Sequence, residues 1–197
     1  MAKLYFRYGA MGASKTAQAL ITRFNYEQQG MHCVLLKSAI DTRDGKTLIK
    51  SRIGIEAEAT VIEPGDIITL ELLTKRSGYD KIDSIIVDEC QFLTTEQVDQ
   101  LSDIVDKYDI PVLCFGLRTD FQSNLFSGSK RLMEIADSIS EIKYICSCGC
   151  KAVINARVDE NGKIITSGKQ ILIGGNDKYI SLCRKCYKEK IRLQDSQ

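Results

Sequence analysis

The residues Gly9-Ala10-Met11-Gly12-Ala13-Ser14-Lys15-Thr16 have the spacing G-x-x-x-x-G-K-[ST] of a phosphate-binding loop, with Ser14 in the place of the second glycine. The chemistry of such a loop is electrostatic: backbone N–H groups and the first turn of a following helix converge on an anion. In that setting Lys15 reaches the β- and γ-phosphates of ATP, and the Thr16 hydroxyl ligates Mg²⁺. Ser14 keeps an N–H to donate, but a serine follows a positive-φ path less freely than glycine does.

A second group of chemical residues ends the apolar run Ser84-Ile85-Ile86-Val87, which leads into Asp88-Glu89. Taken alone this is a solvated acidic pair at a strand end. Beside a phosphate loop it has the makings of a phosphoryl-transfer site. Successive strand residues point to opposite sides, so one carboxylate is expected to hold Mg²⁺ through water while the other faces the attacking hydroxyl.

The third group is cysteine. Five of the eight cysteines fall in Cys146-Ser147-Cys148-Gly149-Cys150 and Cys183-Arg184-Lys185-Cys186. Four thiolates drawn from two such clusters make a tetrahedral structural zinc site. The second cluster is C-x-x-C, whereas the first offers C-x-C from Cys146 to Cys148. Cys150 therefore competes as a ligand, through C-x-C from Cys148 or C-x₃-C from Cys146. Cys33, Cys90 and Cys114 stand singly, which speaks for a reducing compartment and against a disulfide scaffold. His32, the one histidine, follows a helix end and reads as a loop residue.

These groups need a scaffold that brings them to one place. Lys3 to Tyr8 reads as a strand ending at Gly9, and Ala17, Leu20, Ile21 and Phe24 form a helical stripe stopped at Gly30. Cys33-Val34-Leu35-Leu36, Ser84 to Asp88 and Pro111 to Gly116 are further buried strands. Asp66 is expected to cap a helix running through Leu73. Thr94 and Gln97 have capping-box spacing ahead of Val98, Leu101 and Val105. Strands alternating with helices imply an α/β fold: a P-loop (RecA-like) parallel sheet with helices on both faces and functional loops at the strand carboxyl ends. The composition shifts near Ile142, and Asn161-Gly162 signals a type I′ hairpin turn. Residues 1–141 are therefore assigned to the nucleotide-binding domain and 142–190 to a small zinc-binding module, with 191–197 a polar tail expected to fray.

A chain of 197 residues with 44% hydrophobic content can build one sizeable core plus such a module. Its 27 basic and 26 acidic side chains nearly cancel, so neither a nucleic-acid polymer nor an anionic membrane is the expected partner. Met1-Ala2-Lys3-Leu4 runs directly into a strand, and no apolar stretch is long enough to span a bilayer, so a cytoplasmic location is expected.

The phosphate loop, Asp41-Thr42-Arg43, Asp88-Glu89-Cys90-Gln91-Phe92, Gly116-Leu117-Arg118-Thr119-Asp120-Phe121 and Ile173-Gly174-Gly175-Asn176-Asp177-Lys178-Tyr179 follow one another in a meaningful order. Together they resemble the thymidine kinases of the cytosolic, zinc-containing P-loop type, bacterial branch, over about residues 3 to 187. The resemblance implies transfer of the γ-phosphate of ATP to the 5′-hydroxyl of deoxythymidine, giving dTMP for nucleotide salvage and DNA synthesis. It makes Glu89 the proton acceptor and puts Asp88, Glu89, Cys90 and Gln91 along the ATP site. Met11, Phe92, Leu117 and Phe121 would pack around thymine and sugar, and Asp41 and Arg43 would lie near phosphates and substrate. The C-terminal module becomes a zinc-ribbon lasso that closes over the nucleoside, with Gly175 and Tyr179 at the substrate. Its zinc ligands would be Cys146, Cys148, Cys183 and Cys186, leaving Cys150 spare. A homotetramer and inhibition by dTTP are also implied. The alternatives are a kinase for another nucleoside such as deoxyuridine, or a zinc-ribbon NTPase that binds nucleic acid.

Overall fold

Short apolar strands that alternate with amphipathic helices bury both their faces when they pair in parallel. The computed structural model has that arrangement and describes residues 1–174 and 177–195. Gly175 and the end of the tail lie outside the described residues. In chain order, β1 (Leu4–Gly9), α1 (Lys15–Gln28) and β2 (Cys33–Ser38) come first. A short antiparallel pair, β3 (Leu48–Lys50) and β4 (Glu56–Glu58), precedes β5 (Thr60–Ile62) and α2 (Leu70–Ser77). Then follow β6 (Ser84–Asp88), α3 (Thr95–Tyr108), β7 (Val112–Gly116), α4 (Ser127–Ile135) and β8 (Ser138–Ile142). The C-terminal part holds β9 (Ile154–Val158), β10 (Ile164–Ile165), β11 (Tyr179–Leu182) and α5 (Arg184–Asp195).

Six strands pair in the order β5-β2-β6-β7-β1-β8, parallel throughout. On one face Leu4, Phe6, Val34, Ile85 and Val87 pack with Leu73, Val98, Leu101 and Leu132 from α2, α3 and α4. On the other, Leu35, Ile86, Leu113 and Phe115 meet Ala19 and Leu20 of α1 and Ile49 of β3. Each Val, Leu, Ile or Phe among them contributes roughly 1.5–3 kcal/mol by leaving water. Both faces are therefore held, and the carboxyl ends of β1, β6 and β7 open at the same edge.

Some local details depart from expectation. The N-cap of α2 is Thr69, whose Oγ1 accepts the Leu72 N–H at 3.1 Å. Asp66 instead accepts the Glu63 N–H and pairs with Arg76. In α1 the buried face is Lys15, Ala17, Ala19 and Leu20, which leaves Ile21 and Phe24 exposed. β8 had no apolar signal because it is an edge strand, half exposed. The capping box of α3 is present, with Thr94 and Gln97 exchanging hydrogen bonds at 3.2 Å.

β10, β9 and β11 form a separate antiparallel sheet. The hairpin between β9 and β10 is not type I′, because positive φ occurs at Gly162 (75°) and not at Asn161. The Gly162 N–H donates to the Asp159 carbonyl at 3.0 Å, so a type I turn over Glu160 and Asn161 is followed by a glycine bulge. A small core of Cys146, Ala152, Ile154, Ala156 and Leu182 includes Ala10 of the phosphate loop. Among the described residues no helix is long and apolar enough to cross a membrane.

Candidate active site and metal centre

β1 delivers Gly9 into a crowded corner. A Cβ there would stand 2.5 Å from the Ile142 carbonyl oxygen and 2.9 Å from Ala13 Cβ, so hydrogen alone fits. The loop then turns through left-handed geometry at Gly12 (φ 87°) and again at Ser14 (φ 56°, ψ 23°). The serine thus adopts the conformation that suits glycine, at a cost of about 1–2 kcal/mol. Lys15 Nζ, buried, donates to the Ala10 carbonyl at 2.9 Å. Burial lowers its pKa, against the opposing pull of Glu89 and Asp88.

The Thr16 hydroxyl stands beside the Asp88 carboxylate and favours its ionised form. Asp88 Oδ1 is buried and has no partner among the described residues. An unpartnered carboxylate oxygen beside a hydroxyl fits a hard divalent cation, which takes oxygen ligands. Burial, with Glu89 next to it, pushes the Asp88 carboxyl up to about 7.

β6 ends at Asp88, and Glu89 takes left-handed geometry (φ 49°, ψ 42°). The alternation expected of a strand therefore stops one residue early. Both carboxylates line the same cavity, of about 650 Å³. Arg43 donates through Nε to Asp41 Oδ1 at 2.7 Å and through Nη2 to Asp41 Oδ2 at 3.0 Å and to Glu89 Oε1. Gln91 Nε2 donates to Glu89 Oε2 at 2.5 Å, and Gln91 Oε1 accepts the Leu117 N–H at 2.9 Å. Burial by itself would raise the pKa of Glu89. The charges of Arg43 and Lys15 outweigh it, and Glu89 is held down at about 2, ionised. Glu89 in turn raises the pKa of Arg43. The loop carrying Asp41 and Arg43 is tied to the sheet by the buried Lys37, whose Nζ donates to the Gly45 and Leu48 carbonyls at 2.8 and 2.7 Å.

Apolar side chains make up much of the remaining lining. Met11, Phe92, Leu117, Phe121 and Tyr179 belong to it, joined by Phe126 and Leu172. Phe92 and Phe126 meet edge to face at 6.1 Å. Met11 is held by the C-terminal sheet: its N–H donates to Asn155 Oδ1 at 2.8 Å, and its carbonyl accepts from Ser181 Oγ at 2.7 Å. Gly12, Ser14, Lys15, Thr16, Asp41 and Arg43 share the cavity, whereas Gly9, Ala10 and Ala13 lie behind it. Cys90 does not reach it, because its thiol is buried in the sheet core against Cys114.

Sequence reasoning missed Arg52, Asp120, Asn155, Arg157 and Gln170. Arg52, Asp120, Asn155 and Gln170 line the cavity, and Arg157 braces it from behind. A signal existed for two of them. Ile154-Asn155-Ala156-Arg157-Val158 alternates apolar and polar, and both polar members are 4% exposed.

The Sγ atoms of Cys146, Cys148, Cys183 and Cys186 all lie within 4.8 Å of one another, and all four cysteines are free of disulfides. Four converging thiols are arranged to hold a thiophilic metal ion in tetrahedral coordination. Cys150 is exposed and outside this group, though its carbonyl accepts the Cys146 N–H at 2.8 Å.

A family model described as thymidine kinase matches residues 2–187. A thymidine kinase of Shewanella oneidensis is 49% identical over 191 residues, covering 97% of this chain and 99% of the relative. One of Vibrio cholerae is also 49% identical over the same shares. Among solved structures, two coordinating Pif1 helicases at forked DNA align with a TM-score of 0.36 and 16% identity, over 71% of this chain and 39% of that one. A likeness that slight says nothing about substrate.

Proposed function

The chain belongs to the thymidine kinase family, and on that premise we propose that it transfers the γ-phosphate of ATP to the 5′-hydroxyl of deoxythymidine, with Glu89 as proton acceptor. The observation that carries this reading is the single cavity, which joins Lys15, Thr16 and the two carboxylates to the apolar slot of Phe92, Phe121 and Tyr179.

ATP lies along the phosphate loop, with its γ-phosphate toward Lys15 and Arg43. These cations offset the charge that spreads over the transferring group. Thr16 and Asp88 would hold the magnesium ion, which supplies charge neutralisation to the triphosphate. The nucleoside lies in the apolar slot, its 5′-hydroxyl toward Glu89. Arg43 and Gln91 fix that carboxylate, so the acceptor oxygen is oriented before attack. Glu89, ionised, accepts the proton of the 5′-hydroxyl as its oxygen attacks the γ-phosphorus. Most of the rate enhancement then comes from positioning and electrostatics.

Zinc, held by Cys146, Cys148, Cys183 and Cys186, anchors both ends of the C-terminal lid and has no chemical step. The proposal extends to a cytoplasmic homotetramer restrained by dTTP, which sedimentation and a dTTP titration test. The deciding experiment presents the protein with ATP, Mg²⁺ and a panel of nucleosides that includes deoxyuridine. Thymidine monophosphate should be the main product; its absence ends the proposal.

A further inference from the structure

Arg157 lies on β9, 4% exposed and away from the phosphate loop in its contacts. Its guanidinium reaches across to residues 169–170 and to Tyr179. Nη1 donates to the Lys169 carbonyl at 2.9 Å and Nη2 to the Gln170 carbonyl at 3.2 Å. Nε and Nη2 also donate to the Tyr179 hydroxyl, at 3.2 and 2.8 Å, and that hydroxyl donates to the Leu172 carbonyl at 2.9 Å. Below, the guanidinium carbon stands 3.8 Å from the centre of the Phe121 ring.

One side chain thus ties Lys169 and Gln170 to Tyr179 and to one wall of the apolar slot. Among the described residues its hydrogen-bond partners are carbonyls and a phenol, with no carboxylate. Displacing these residues would leave a buried guanidinium short of acceptors. The penalty opposes opening at the nucleoside end of the cavity. Gln170 adds a tie of its own, donating to Asp120 Oδ2 at 2.9 Å.

We infer that Arg157 is the positioning residue that holds residues 169–172 and Tyr179 closed over the nucleoside slot, a role that rests on the proposed kinase reaction. It acts through Tyr179, Phe121 and the lid backbone, and does not itself line the cavity.

The test uses the full zinc-loaded protein and the variants Arg157→Lys, Arg157→Gln and Tyr179→Phe. Lysine keeps the charge but lacks the planar fork that meets several acceptors at once. With nucleoside and ATP varied separately, Arg157→Lys should raise the nucleoside KM about tenfold, the scale of one charged hydrogen bond, and leave the ATP KM within about twofold. Trypsin cleavage after Lys169, followed by mass spectrometry, should accelerate about tenfold in the same variant. Tyr179→Phe should show the same signature more weakly and combine non-additively with Arg157→Lys. It also carries the test if Arg157→Gln does not fold. An unchanged nucleoside KM in folded Arg157→Lys, or equal rises in both KM values without faster cleavage after Lys169, overturns the inference. Should the wild-type protein phosphorylate no nucleoside, the kinase proposal falls, and the cleavage rates alone decide whether Arg157 holds residues 169–172 and Tyr179.

Discussion

Asp88 and Glu89 are adjacent in the chain yet open onto one cavity, because Glu89 leaves extended geometry for φ 49°, ψ 42°. A non-glycine residue persists there when its surroundings over-determine it. Here Arg43 and Gln91 grip its two carboxylate oxygens. Asp88 keeps different company, with Thr16 beside it and one oxygen unpartnered among the described residues. Their different surroundings arise from these partners and not from strand alternation.

Replacing Glu89 with Gln keeps the shape and removes the proposed proton acceptor. Turnover should fall about 10²- to 10⁴-fold, while ATP affinity, measured by calorimetry, stays near wild type. A kcat within tenfold of wild type would move the base elsewhere.

Ser14→Gly relieves left-handed geometry that the serine side chain does not offset with a capping hydrogen bond. About 1 kcal/mol is available, reduced somewhat by the greater freedom of glycine in the unfolded chain. The midpoint of thermal unfolding should rise by about 2–3 °C, with activity retained. A lower midpoint would mean that Ser14 makes a stabilising contact in solution.

Asn155→Ala removes the acceptor of the Met11 N–H, and Ser181→Ala removes the donor to its carbonyl. Each hydrogen bond contributes about 1 kcal/mol, so each variant should raise the ATP KM roughly fivefold. If both variants bind ATP normally, the loop tip is held without the C-terminal sheet.

Thiol labelling reads the metal centre directly. Cys148 and Cys150 are both exposed, and Cys148 alone of the two belongs to the four-thiol group. In native protein at pH 8, iodoacetamide should modify Cys150 and spare Cys148. A chelator should then expose all four ligands and weaken nucleoside binding. Cys33, pushed up to about 11 by burial, should remain unlabelled in both states. Equal labelling of Cys148 and Cys150 in native protein argues against a bound metal.

Local letters made much of this legible. Gly9 to Thr16 and Asp88-Glu89 are contiguous motifs whose chemistry depends on neighbours in sequence, and the α3 capping box closes within one helical turn. The parallel sheet followed from apolar runs that only two-sided burial explains. Harder to read were features whose partners lie far along the chain. β8 is polar enough to pass for a loop, and Arg157 finds its acceptors 12 and 22 residues away.

By itself, then, the sequence determined the phosphate loop, the acidic pair, the two thiol clusters and the alternating α/β order, since each is written in adjacent residues or in periodicity. Tertiary structure decided which side chains share the cavity. It turned Glu89 onto the side of Asp88, brought Arg43 to Glu89, sent Cys90 into the core and set Arg157 over Phe121. Those outcomes depend on backbone dihedrals and on contacts between distant strands, where burial leaves each charge few partners to choose from.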